Sequence, residues 1–198
     1  SSDEFGAVLE NNVGDFLKKH GVVAIEDIDT RALTLRLRDK GALRGVISTL
    51  EGDAARLVAK ARATPSMAGQ NLAKTVTCVR THAWGDDGGE PRDLHVVVMD
   101  FGVKHGILRC LTAMGAKVTV VPSATSAETI LQLKPDGVLL SNGPGDPEPV
   151  TDAVATIQKL IVERLPLFGI CLGHQLLGLA LGGKTYKLKF GHHGSNHP

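Results

Sequence analysis

The feature that most constrains this chain is a regular alternation that sets in after residue 93. LHVVVMD (94–100), KVTVVP (117–122), DGVLLS (136–141) and PLFGI (166–170) are short, continuous apolar runs. Runs of this kind suit strands buried on both faces of a parallel sheet. Helical spacing fills the gaps between them. Ile107, Leu108, Leu111 and Met114 share a face that stops at Gly115, and Ser126 offers an N-cap to AETILQLK with Glu128 in the first turn. Val150, Val154, Ile157 and Ile161 form the stripe of an amphipathic helix ending before Pro166. CLGHQLLGLALGG then follows the fourth run directly; it is apolar almost all round, so it reads as a buried helix ended by Gly182 and Gly183. Strands and helices alternating at this pitch specify an α/β fold, a parallel sheet with helices on both faces.

The preceding residues carry weaker signals. GVVAI (21–25) and RGVIST (44–49) read as short strands. Between them, DIDTRALTLRLRDKG offers Asp29 or Thr30 as N-cap, an i,i+4 pair in Leu33 and Leu37, and Gly41 as terminator. Asp53 caps a second helix through Ala63, which stops before Pro65. THAWGDDGGEPR, with its glycines, proline and acidic residues, reads as a linker. The expected organisation is a partial amino-terminal domain (1–80), a linker (81–92) and a second domain (93–198).

Composition narrows the function classes. With 198 residues, 42% hydrophobic content and a net charge of +1, the chain is an ordinary globular one without a global field for nucleic acid or anionic lipid. Only 4% of residues are aromatic, too few for base-stacking platforms. No run of about 18 apolar residues suggests a membrane span. The three cysteines, Cys78, Cys110 and Cys171, are spaced too widely for CxxC motifs, so a reducing cytoplasm is the expected compartment. Cys78 and Cys110 read as small buried hydrophobes.

Cys171 is different. Gly169-Ile170-Cys171-Leu172-Gly173-His174-Gln175 stands between a strand and a helix and has the form of a nucleophile elbow. So tight a turn strains the nucleophile's backbone, and glycines two residues to either side let neighbouring chain approach. A position at a helix N-terminus also favours the thiolate, whereas a lone cysteine is otherwise a buried structural one. Ser141-Asn142-Gly143-Pro144-Gly145-Asp146-Pro147 follows the third strand, on the carboxyl edge where open α/β sheets bind ligands. Its glycines can turn N–H groups toward an anion, which together with the N–H of Leu172 is what an oxyanion hole requires. Read singly, the same stretch is a turn, with Asp146 capping the next helix.

Together these motifs resemble the class I (triad) glutamine amidotransferases, which pair a Gly-x-Cys-x-Gly-x-Gln elbow with an upstream SNGPGDP loop. DIDTRALTLRLRDKGALRG, MDFGVKHGILR, LSNGPGDPEP and FGICLGHQLLGLALGGKTYKLKFGHHGSNHP, in that order, narrow the resemblance. They are similar to the glutamine-hydrolysing small subunits of carbamoyl-phosphate synthetases; the IDTR segment and KFGHHGSNHP argue against GMP synthase and anthranilate synthase. The resemblance implies an open parallel, flavodoxin-like sheet of the class I amidotransferase type, preceded by part of a smaller α/β amino-terminal domain. It implies that Cys171 attacks the carboxamide of L-glutamine, that Gly143 and Leu172 supply the oxyanion N–H groups, and that Gly145 and Gln175 help to hold the substrate. Ammonia is then handed to a large subunit, which uses ATP with Mg or Mn to make carbamoyl phosphate for arginine and pyrimidine synthesis. No cofactor or metal is expected in this chain, which has no GxxxxGK[ST] loop. Neither nucleic acid nor membrane is an expected partner.

The family completes its triad with a His-x-Glu pair downstream of the cysteine. Between Leu172 and Pro198 there is no Asp or Glu, and none of His174, His192, His193 and His197 is followed two positions later by an acid. His174, at i+3 on the elbow helix, reads as a residue packed or hydrogen-bonded under the elbow. His192, His193 and His197 read as part of a polar loop. The chain therefore reads as an internal stretch of a longer polypeptide, inactive by itself, with a non-catalytic docking module as the competing expectation. The arginines of RALTLRLRDK read as a solvated helix face, and KTYKLK as a strand with outward lysines.

Overall fold

A computed structural model describes residues 12–85 and 93–189. Contacts divide the chain into two units, one spanning Met67–Thr185 and the other taking in Ser1–Ser66 and Tyr186–Pro198. The division falls ahead of the expected linker. Residues 67–85 belong with the sheet, because Ala73, at the start of the short helix α4 (Ala73–Val76), is fully buried in its core and His82–Trp84 is one of its strands. The remainder of the linker, 86–92, and the segment holding His192, His193 and His197 lie outside the described residues.

The sheet unit has five strands: β1 (His82–Trp84), β2 (Leu94–Asp100), β3 (Ala116–Pro122), β4 (Gly137–Leu140) and β5 (Leu167–Gly169). Their spatial order is β1-β3-β2-β4-β5. β2 to β5 are parallel, as the alternation predicts, while β1 runs antiparallel along β3, with Ala83 opposite Thr119. The sheet is thus mixed at one edge; the three residues of β1 carry too little apolar pattern to stand out within a stretch rich in turn formers.

The strand positions alternate between two cores. Val97, Met99, Val138 and Leu140 face one core, Val98, Val118, Val120 and Leu139 the other. α5 (His105–Ala113) covers the second through Leu108. α6 (Ala127–Gln132), α7 (Thr151–Val162) and α8 (Leu172–Ala180) cover the first through Ile130, Ile157, Leu160 and Leu176. The Ser126 side chain caps α6 at the N–H of Thr129. Two apolar expectations change: Met114 lies past the end of α5 and is 79% exposed, and α8 buries only Leu172, Gly173 and Leu176, leaving His174 and Gln175 in solvent. α8 covers the sheet with one face only, so its apolar composition overstates its burial.

In the other unit, α1 (Val13–Lys19), α2 (Thr30–Lys40) and α3 (Ala54–Ala63) contain no buried residue. The caps are those read from the sequence. Asp29 accepts from the N–H of Ala32, Gly41 terminates α2 at φ +81°, and Asp53 accepts from the N–H groups of Ala55 and Arg56. GVVAI and RGVIST, expected as strands, and KTYKLK, expected as another, are not strands. β-branched runs become strands only when a neighbour takes up their N–H and C=O groups, and no ladder does so here among the described residues. Among the described residues, the amino-terminal part is helices joined by irregular chain.

Candidate active site

The order of the parallel strands reverses at β2: the chain moves outward to β3, then crosses back to β4. The carboxyl ends of β2 and β4 therefore flank a topological switch point, the crevice where sheets of this type bind ligands. Phe101–Lys104 leaves β2 there, Ser141–Val150 leaves β4, and the turn after β5 brings Cys171 to the same edge.

Cys171 is exposed, with φ 52° and ψ −111°, a left-handed backbone that non-glycine residues rarely adopt. The flanking glycines explain how the turn closes. A Cβ on Gly169 would lie 2.6 Å from the Gly173 carbonyl carbon and the His174 nitrogen, and one on Gly173 would run into the Leu140 carbonyl oxygen. Backbone bonds tie the elbow to β4: the Ile170 N–H donates to the Leu140 oxygen and the Gly173 N–H to the Ser141 oxygen, both at 3.0 Å. Side chains alone do not hold this strain; the sheet does.

The SNGPGDP loop is fastened from beneath. The Ser141 hydroxyl is fully buried; it accepts from the Phe101 N–H at 2.9 Å and donates to the Asn142 oxygen. The Asn142 amide donates to the Gly102 oxygen and accepts from the Lys104 N–H, joining the two loops. A Cβ on Gly143 would strike the Phe101 carbonyl oxygen and come within 2.8 Å of a Leu172 methyl, so glycine is needed for the loop and elbow to meet. Among the described residues, the N–H groups of Gly143 and Leu172 donate to no protein acceptor. Two unfilled donors beside an exposed thiol are what a developing oxyanion needs. Gly145 has φ +95°, and Gln175 stands exposed one turn after Cys171, its N–H donating to the Cys171 oxygen at 3.1 Å.

Other expectations change. His174 is exposed on the first turn of α8 and its ring makes no hydrogen bond among the described residues, so it is not tucked beneath the elbow. Asp146 does not cap α7, whose N-cap Val150 has no side-chain bond. Its carboxylate accepts instead from the N–H of Gly69 at 2.8 Å and of Glu148 at 3.1 Å. Cys110 is exposed, and Cys78 is half-buried rather than fully packed away. Cys78 stands against the buried Asp100, whose carboxylate accepts from the N–H groups of Cys78, Gly102 and Val103. Burial first, then the charge of Asp100 and a bond to it, push the Cys78 thiol up to about 11. Sequence reading missed Asp100 and the stretch 67–78, because their bonds join residues 22 to 78 positions apart.

The fold and the site define a class. Residues 97–198 match the family model for glutamine amidotransferase class-I, more than half of the chain, and the chain belongs to that family. The model for the carbamoyl-phosphate synthase small chain, CPSase domain, matches residues 4–47. Curated relatives that the chain matches are likewise carbamoyl phosphate synthase small chains. That of Pasteurella multocida is 53% identical over 193 residues, covering 93% of this chain and 50% of that one. That of Escherichia coli K12 is 50% identical over 200 residues, covering 94% and 52%. The chain spans about half the length of the curated relatives it matches.

Proposed function

We propose that this chain is part of the glutamine-hydrolysing small subunit of a carbamoyl-phosphate synthetase. One observation carries the reading: an exposed Cys171 held at φ 52° beside the two unfilled N–H donors of Gly143 and Leu172. The Cys171 sulfur attacks the side-chain carboxamide carbon of glutamine. The oxyanion that forms takes hydrogen bonds from Gly143 and Leu172, stabilising charge that exists only in the transition state and intermediate. Collapse of the intermediate breaks the C–N bond; ammonia leaves with a proton, and a γ-glutamyl thioester remains. Water then cleaves the thioester, releasing glutamate and the thiol. Gly145 and Gln175 line the substrate's side of the elbow. A base must take the thiol proton and deliver it to the leaving nitrogen, and the family resemblance assigns that work to a His-x-Glu pair downstream of the cysteine.

Ammonia passes to a large subunit in the cytoplasm, where ATP and its metal ion serve the synthesis of carbamoyl phosphate. Among the described residues of this chain, no helix is long and apolar enough to cross a membrane. The test is Cys171→Ser in the full complex. Glutamine-dependent synthesis should vanish while synthesis from free ammonia persists, and a glutamine-mimicking electrophile should add once, on Cys171 of the parent. Loss of both activities would make Cys171 structural and overturn the reading.

A further inference from the structure

Residues 67–78 lie between the two matched regions, which end at 47 and resume at 97. They carry no motif, yet they run along the carboxyl edge of the sheet and are fastened to the site at several points. The Gly69 N–H donates to Asp146 at 2.8 Å, and the Asn71 amide donates to the Pro149 oxygen at 3.4 Å. The Lys74 ammonium stands 3.4 Å from Asp152. The Thr77 hydroxyl accepts from the Ser123 N–H at 2.9 Å, and the Cys78 N–H donates to Asp100 at 2.7 Å. In the middle, Ala73 is buried in the same core as Phe101, Val150 and Leu172.

This stretch also occupies the space beside two loop glycines with left-handed backbones. At Gly145, φ +95°, the position of a Cβ is 3.2 Å from Leu72 Cβ and 3.3 Å from the Gln70 oxygen. At Gly102, φ +117°, it is 3.0 Å from a Val76 methyl and 3.2 Å from Pro144. A glycine-rich loop left to itself samples many conformations, whereas an oxyanion hole works because its donors are already aimed before charge develops. The buried Ser141 holds the loop from the sheet side; Leu72 and Gln70 hold it from the other, and Val76 backs Gly102 in the adjoining loop.

We infer that Met67–Cys78 is a positioning strap that keeps the Gly143–Gly145 turn in its anion-binding conformation, with Asp146 and Asp100 as its anchors. Asp146 is then a positioning residue that joins the SNGPGDP motif to a segment 77 residues upstream. The inference rests on the reading of Gly143 as an oxyanion donor.

Two variants, made in the full complex, test it. Asp146→Asn keeps the shape of the side chain but offers one acceptor oxygen to two N–H donors, so one of the two bonds becomes a donor facing a donor. Leu72→Ala trims the half-buried contact with Gly145 and leaves every hydrogen bond in place. Each variant is assayed for glutamine hydrolysis and, separately, for the rate at which iodoacetamide alkylates Cys171, a reaction that needs the exposed thiol but no oxyanion hole. A misaimed donor should lower kcat about tenfold or more, with a smaller change in KM and no change in the alkylation rate. Hydrolysis within about twofold of the parent in both variants would overturn the inference, since donor loss elsewhere costs far more. Alkylation that falls in step with kcat would also overturn it, because the stretch would then merely support the elbow's fold. Cys171→Ser is assayed alongside. If it hydrolyses glutamine as the parent does, the functional reading fails and the inference falls with it; if it is inactive, the strap variants are judged on their own.

Discussion

α2 and α7 are helices of similar length, 11 and 12 residues, and they are made in opposite ways. α2 has a side-chain cap at Asp29, a terminating Gly41 and no buried residue; α7 has no side-chain cap and buries Ala153, Thr156, Ile157 and Leu160. The contrast extends to their units. Around α2, Val22, Val23, Ile25, Leu33 and Ile47 are exposed, while in the sheet unit Val97, Val98, Met99, Leu140 and Ile157 are fully excluded from solvent. Local hydrogen bonds are enough to say where a helix starts and stops, but they contribute about 1 kcal/mol each. Fixing a strained backbone such as that of Cys171 takes a packed core, and the site lies in the unit that has one.

The contrast can be broken most sharply with one truncation in each unit. Ile157→Ala should cost about 2–5 kcal/mol in denaturant unfolding, because it empties a fully buried site. Leu33→Ala, at a position 46% exposed, should stay within about 0.5 kcal/mol. A cost at Leu33 equal to that at Ile157 would show that α2 is buried in solution.

Thiol chemistry sharpens the comparison inside the sheet unit. Cys78 and Cys171 share the carboxyl edge, one half-buried and the other exposed. With its thiol pushed up to about 11, Cys78 stays protonated at pH 8, where only about one molecule in a thousand carries the thiolate. Its alkylation should be the slowest of the three cysteines by peptide mapping and should accelerate as pH rises toward 11. Rapid labelling of Cys78 at pH 8 would mean that its contact with Asp100 opens readily.

Smaller effects belong to the caps and the surface. Asp53→Ala should cost about 1 kcal/mol and speed amide exchange across Ala54–Ala63, with no effect on the exchange of β2. The least effect is expected at Glu128, held down at about 2 chiefly by its 2.7 Å bond to Lys159. Because its folded value is lowered, the stabilisation is present above the ordinary carboxylate value of 4.5 and is lost as pH falls toward 2. Both side chains are about 60% exposed, so solvent screens the pair. Glu128→Gln should leave neutral-pH stability nearly unchanged and flatten only the acid limb of a thermal-melting profile.

Signals in the sequence that act over a few residues were legible. The four parallel strands, the caps at Asp29, Asp53 and Ser126, and the elbow at Cys171 all follow from apolar period, capping chemistry and glycine spacing. What failed to show depends on partners distant in the chain. GVVAI has the composition of a strand but no ladder; HAW has almost none of that composition, yet it is a strand because β3 offers a free edge. Asp146 looks like a helix cap within its own loop, and only the folded chain brings Gly69 to its carboxylate.

By itself, the sequence determined the alternating architecture, the elbow at Cys171 and the loop that faces it, because periodicity, caps and glycine spacing are local properties. The tertiary structure decided which apolar runs found partners, how β1 closed one edge of the sheet, and how Met67–Cys78 came to lie against Gly145. Hydrogen-bond partners and close approaches are set by the path of the whole chain, and that path is fixed by burying one shared core, which no short window of residues contains.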